Sequence, residues 1–221
     1  MILLPTKHVT PKKLWELKPK LYARGIRKRL LALHCDLFDI HDQIQKANSH
    51  YPRKITSLEK LVIVLEDRRF FHHFGVDIWS VARELVRLLM FRRHGGASTI
   101  DMQLVRTVTG YRQPTLRRKI YECFLATIIQ RRYSKIKILR AYLNCAFFGS
   151  HLVGATKASM AVFGIASVEL SDKQAAFVAA MLVCPRPKEP SEKWQLRIQR
   201  RANYGYSIYI NHKDRFDQYP S

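Results

Sequence analysis

Apolar residues recur along this chain at helical rather than strand spacing. Leu58, Leu61, Val62 and Leu65 share one face of a helix expected to begin near Ser57 and end by Phe71, placing Glu66 in its last turns. The β-branched run Val62-Ile63-Val64 also suits a strand, and segment length tips the choice to a helix. Ser57 with Lys60 supplies half a capping box. A second apolar helix is predicted from Ile78 to Phe91. A third, TLRRKIYECFLATIIQRRYS, places Leu116, Ile120, Phe124 and Ile128 on an apolar face and Arg118 with Glu122 on another side. SKIKILRAYLNCAFFG reads as helical to Leu143, stopped at Asn144 or Gly149. Helices follow near 154–163 and from Ser171, which can cap. The predicted fold class is all-α.

Ahead of this lies a segment dense in Lys and Arg, from Thr10 to about Asn48, with Trp15, Leu17, Leu21, Ile26, Leu30, Leu31 and Leu33 interleaved. Pro19 interrupts any helix, but from Leu21 onward the spacing fits an amphipathic helix with a basic face. That pattern serves a membrane surface, or equally a helix that packs on the main domain with its charges in water. Pro185, Pro187 and Pro190 end the compact region, and a further basic helical stretch runs to about Tyr209. The chain thus divides into a basic N-terminal segment (1–50), a compact domain (51–192) and a basic helical extension (193–221). No apolar stretch reaches the roughly 18 residues that cross a bilayer, and Met1 to Leu4 is followed by Pro5 and Lys7 rather than the apolar core of a signal peptide.

Charge narrows the partners. With 221 residues, 47% of them apolar, the chain is globular, yet its formal net charge is +22. Such an excess implies a polyanion: nucleic acid, an anionic membrane, or a phosphate-bearing substrate. Cys35, Cys123, Cys145 and Cys184 are scattered without a C-x-x-C pair, which argues against a disulfide scaffold, a thiolate metal site or a redox motif.

Two acids carry the chemistry. Glu66 closes the apolar run Leu61-Val62-Ile63-Val64-Leu65, whereas Glu122 follows Arg117, Arg118 and Lys119. A carboxyl against apolar neighbours resists ionisation and one beside cations stays charged, so the pair is suited to divided acid, base and electrostatic roles in transfer chemistry on a sugar. Arg118 to Glu122 is also an ordinary i,i+4 pair worth about 0.2–0.5 kcal/mol. Between them, Gly95 and Gly96 lead into Ser98 and Asp101, an S-x-x-D cap whose helix start can hold an anion alongside Arg92, Arg93 and Arg106.

Five blocks, EDRRFFHHFGVD from Glu66, GGASTIDMQLVR from Gly95, RRKIYE from Arg117, SKIKILRAYLN from Ser134 and ELSDKQAAFVAAMLVCP from Glu169, resemble in order and separation the motifs of glycosyltransferase family 51, the peptidoglycan glycosyltransferases. The resemblance spans roughly 51–190. It implies a lysozyme-like, two-lobed domain with a membrane-facing smaller lobe, polymerising lipid II with inversion by transferring an undecaprenyl-pyrophosphate-linked glycan to the acceptor 4-hydroxyl. Matched positions make Glu66 the general base and Glu122 the second acid at the departing diphosphate, acting directly or through a divalent cation (Mg or Mn). Ser98, Thr99, Gln103, Arg106, Arg118 and Lys119 match substrate-binding positions. Asp67, Phe70, His73, Gly75 and Asn144 match structural ones, His73 as a hydrogen-bonded residue rather than a proton carrier. No cofactor is obligatory.

The implied partners are lipid II, the growing glycan strand, an anionic membrane surface and other cell-wall synthesis proteins; nucleic acid is disfavoured. The implied place is the periphery of the cytoplasmic membrane, active on its outer face, which leaves three alternatives: a true start that lies upstream, a basic 12–29 region that holds the surface at about 1 kcal/mol per cation, or a protein that stays inside the cell and no longer meets lipid II. Three departures weigh against full polymerase activity. Asp101-Met102 stands where Thr-Gln is usual, adding negative charge where an anionic substrate would lie; Arg140 replaces a common Glu; and the family's membrane-spanning anchor is not seen. Two rivals follow: a diverged anion-binding protein, and a lysozyme-like hydrolase needing a water between carboxyls roughly 6.5–9.5 Å apart.

Overall fold

The computed structural model describes residues 25–47, 51–52, 54–90, 96 and 98–213. The predicted membrane-surface stretch before residue 25, Arg92, Arg93 and Gly95, and the chain beyond 213 lie outside the described residues. The fold is predominantly helical, as expected. Its helices are α1 (Ile26–Ala47), α2 (Ser57–Glu66), α3 (Ile78–Leu89), α4 (Ile100–Thr109), α5 (Leu116–Arg132), α6 (Lys135–Cys145), α7 (Ala155–Phe163), α8 (Asp172–Ala180) and α9 (Glu192–Asn211).

The helix carrying Glu66 forms as the apolar spacing predicts, but its ends differ. Thr56, not Ser57, is the N-cap: Glu59 N–H donates to Thr56 Oγ1 (3.3 Å) and Thr56 N–H to Glu59 Oε2 (2.7 Å), a complete capping box. The helix stops at Glu66 instead of running to Phe71, because Asp67 leaves helical geometry (φ −154°, ψ 78°) and a separate 3-10 turn forms over Phe70–His72. Leu58, Leu61, Val62, Ile63 and Val64 are all buried, so α2 is a central element covered on several sides. It packs on α8 and α9, while α4 packs on α1, α5 and α6.

Helix α1 buries Ala32, Asp36, Ile40, Ile44 and Ala47, so from Ala32 onward it packs on the main body; Ile26, Leu30 and Leu31 remain exposed. The apolar face of α5 turns outward: Leu116, Ile120 and Phe124 are exposed and Ile128 only half-buried, while Glu122, Leu125, Ala126 and Ile129 form the inner face. That choice brings Glu122 inside. After α6 comes a short antiparallel hairpin, Phe147–Gly149 with Leu152–Val153, where the sequence suggested only a helix stop. Ser171 caps α8, its N–H and hydroxyl both donating to Gln174 Oε1 (3.0 and 2.8 Å). Helix α9 inserts Trp194, Ile198, Ala202 and Tyr209 into the core shared with α2 and α8.

Candidate active site

Glu66 ends α2 at the wall of a cleft of about 380 Å³ that is also lined by Arg68, Arg69, Asp77, Arg83, Arg87, Ser98 and Thr99. Its Oε2 accepts from Gln103 Nε2 (3.3 Å), and Gln103 Oε1 accepts from the Tyr142 hydroxyl (2.6 Å). This α6-to-α4 relay fixes the orientation of the amide facing Glu66. Among the described residues, Oε1 of Glu66 is buried without a hydrogen-bond partner. Burial pushes the carboxyl above its usual range, with Asp67 adding to the effect and Gln103, Arg201 and Arg106 opposing it.

The turn after Glu66 is fastened to the start of α4. Asp67 Oδ2 accepts from the Ile100 N–H (3.1 Å) and from His73 Nε2 (2.9 Å), and His73 Nδ1 receives Lys135 Nζ at 3.3 Å, which identifies the Nε2–H tautomer. Phe70 is fully buried beneath this turn. Gly75 has φ +78°, and a Cβ there would lie 2.5 Å from the Ala126 carbonyl oxygen on α5. The Gly75 carbonyl accepts from the Thr99 hydroxyl (2.7 Å), which in turn caps α4 by accepting from Met102 N–H (3.2 Å). Thr99 is therefore the cap that the S-x-x-D pattern assigned to Ser98. Ser98 instead accepts from Lys119 Nζ (2.7 Å) and joins the cleft wall to α5.

On α5, Glu122 is buried, its Oε1 bonded by Arg118 Nη1, with Lys119 Nζ 3.9 Å from Oε2. The cations before it predicted a readily ionised acid. Burial prevails: it raises the carboxyl above the usual range against the pull of Arg118, Arg106 and Lys119. Burial also lowers Lys119, opposed by Glu122. Arg106 acts electrostatically on both Glu66 and Glu122, so α4 presents one guanidinium to the two acids. Asn144 is exposed near the end of α6, and its carbonyl abuts Gly154.

Both charge departures resolve internally. Asp101 is fully buried, turned from the cleft, and accepts from Lys135 Nζ (2.9 Å). It adds no charge where an anionic substrate would lie. Asp67, His73 and Asp101 bring ligand-type atoms within 4.8 Å of one another, but the Lys135 ammonium already fills that place. Arg140 donates through Nε to Glu59 Oε1 (2.7 Å) and through Nη2 to the Pro52 carbonyl (2.7 Å), so its charge is spent in the core. Among the described residues, a single carboxylate at Glu122 stands with three cations, a donor set that does not fit a divalent ion.

The transglycosylase family model matches residues 40–207. The chain belongs to this family. It is 35% identical over 153 residues to penicillin-binding protein 1A of Rickettsia bellii, covering 67% of this chain and 19% of that protein. Penicillin-binding protein 1A of Aquifex aeolicus is 38% identical over 140 residues (63% and 19%), and penicillin-binding protein 2a of Streptococcus pneumoniae is 36% identical over 145 residues (66% and 19%). The matched region is thus about a fifth of each of these relatives. For this transglycosylase chain, sequence reading missed Arg83 and Arg87 on the cleft wall and Arg201 beside Glu66. The i,i+4 spacing of Arg83 and Arg87 along one side of an amphipathic helix was the available signal. Arg201 had none, since it comes from α9, beyond the last motif.

Proposed function

We propose that this chain polymerises lipid II into glycan strands. Glu66 takes the proton from the acceptor 4-hydroxyl as that oxygen attacks the anomeric carbon of the donor, and the bond to the diphosphate oxygen breaks with its electron pair leaving on the diphosphate. Attack from the face opposite the leaving group inverts the sugar. A base with a raised pKa suits this task near neutral pH. Arg118, Lys119 and Arg106 stabilise charge growing on the leaving oxygen, as preorganised donors in a partly buried site do. Ser98 positions the substrate, Thr99 holds the cap of α4 through its buried hydroxyl, and Gln103 orients the base.

The observation that carries this reading is the placing of Glu66 on a cleft wall tied through Ser98 and Lys119 to Glu122, with Arg106 acting on both acids. The cleft lies at a membrane surface in this proposal. Supporting that, Ile78, Trp79, Val86 and Met90 on or beside α3 and Leu116, Ile120 and Phe124 on α5 are exposed, and both helices contribute to the cleft or its rim. A lipid II polymerisation assay tests the assignment: wild type forms polymer, and Glu66→Gln and Glu122→Gln each lose at least about 10²-fold in rate, the scale of a general base or a key electrostatic group. Polymer at wild-type rate from Glu66→Gln refutes it.

A further inference from the structure

The end of α2 that carries Glu66 is capped by arginine side chains. A helix leaves its last carbonyls without intrahelical donors. Here the Ile63 carbonyl receives Asp67 N–H (2.9 Å), the Val64 carbonyl receives Arg68 Nε (3.3 Å) and the Leu65 carbonyl receives Arg201 Nη2 (3.1 Å). Both guanidinium groups also lie against one ring: Arg68 is 5.9 Å and Arg201 5.8 Å from the Tyr204 centroid, and Arg68 Nη2 donates to the Tyr204 hydroxyl at 2.7 Å. Arg201 and Tyr204 lie three residues apart on α9 and so share a face. The next residue, Gly205, meets Leu65 so closely that a Cβ would lie 2.9 Å from its side chain.

We propose that Tyr204 is a positioning residue for Glu66: its ring holds Arg201 on the Leu65 carbonyl and so fixes the helix end from which the Glu66 side chain enters the cleft. This rests on the assignment of Glu66 as the base. The contact has an electrostatic side, since the carbonyl end of a helix is negative and disfavours a neighbouring carboxylate, and a guanidinium there offsets it. The groups acting on Glu66 are Arg201 from α9, Arg106 and the neutral Gln103 from α4, and adjacent Asp67; Tyr142 of α6, itself raised by burial and then by Glu66, is neutral. Of the two cations that act on Glu66, Arg201 and Arg106, it is Arg201 that lies against Tyr204.

The test is a carbon-13 titration of the Glu66 carboxyl, assigned with Glu66→Gln, in wild type, Tyr204→Leu and Tyr204→Phe, alongside the pH profile of lipid II polymerisation. Tyr204 is 48% exposed and α9 keeps its buried anchors, so the variants should fold; the same spectra report this, and Tyr204→Gln replaces Leu if needed. With Arg201 released, Glu66 titrates at higher pH, and the acid limb of the rate profile moves upward with it. At neutral pH kcat falls roughly ten- to hundredfold with KM unchanged, the scale of misplacing a reacting group by about 1 Å. Tyr204→Phe keeps the ring and the wild-type titration. An unchanged titration in the ringless variant, or an equal shift in Tyr204→Phe, overturns the proposal. Absence of polymer from wild type removes the assigned reaction, while the Glu66 titration still decides the role of Tyr204.

Discussion

Glu66 and Glu122 occupy unlike surroundings, yet burial moves both carboxyls the same way. For Glu66 the sign has a consequence for stability. Its folded pKa is raised, so the native state holds the proton more tightly than the unfolded chain; the gain is full below the unfolded pKa and is lost as pH rises through the folded value. At neutral pH the ionised group therefore costs stability. Glu66→Gln should melt at a higher temperature than wild type at pH 7, and the gap should close as pH falls toward the ordinary carboxylate range. A thermal melt series across pH checks this, and a variant less stable at pH 7 would refute it. The two acids were legible in sequence because each has a marked neighbourhood. The state of Glu122 was not, since three cations preceding it in the chain say nothing about how deeply its helix face is buried.

At the level of elements, the site depends on where helices begin and end. The cap on α4 and the glycine after the 3-10 turn are one device: Thr99 bonds Met102 N–H and the Gly75 carbonyl, while Gly75 itself lies against the backbone of α5 at Ala126. Gly75→Ala meets both a left-handed backbone and a backbone clash, so it should destabilise by more than about 1 kcal/mol. Denaturant unfolding would show this, and a wild-type midpoint would contradict it. Apolar periodicity located α2 and the capping pattern announced α4, but on α5 the apolar face that it marked turned out to lie outside the core. Leu116, Ile120 and Phe124 form a regular stripe, and periodicity alone cannot say whether an apolar stripe meets the core or a partner surface. The hairpin after α6 was missed for a related reason. Its strands are too short for alternation to register, and the Gly149 signal fits a helix stop as well as a turn.

For the molecule as a whole, the +22 charge and the outward apolar residues point to the same kind of surface. Trp79 is 72% exposed on α3, whose cleft-lining side carries Arg83 and Arg87. Binding to vesicles containing anionic lipid should weaken with added salt, because the cationic contribution is screened, and Trp79→Ser should weaken it further without changing the melting temperature. Retention of wild-type vesicle affinity by Trp79→Ser would exclude α3 from the contact. The overall helical plan followed from spacing and composition, whereas the contribution of α9 to the Glu66 neighbourhood did not. That contact joins residues 65 and 201, a separation over which local pattern carries no information.

The pairing of Arg140 with Glu59 bears on hybrids between this chain and its relatives. A graft of α6 from a family member with an acid at position 140 would set two carboxylates against each other in a dry interior, while Pro52 would lose its donor. Exchange of segments at this seam would succeed only where residues 59 and 140 travel together, so the breakpoints available to recombination are set by a pair that does not line the cleft.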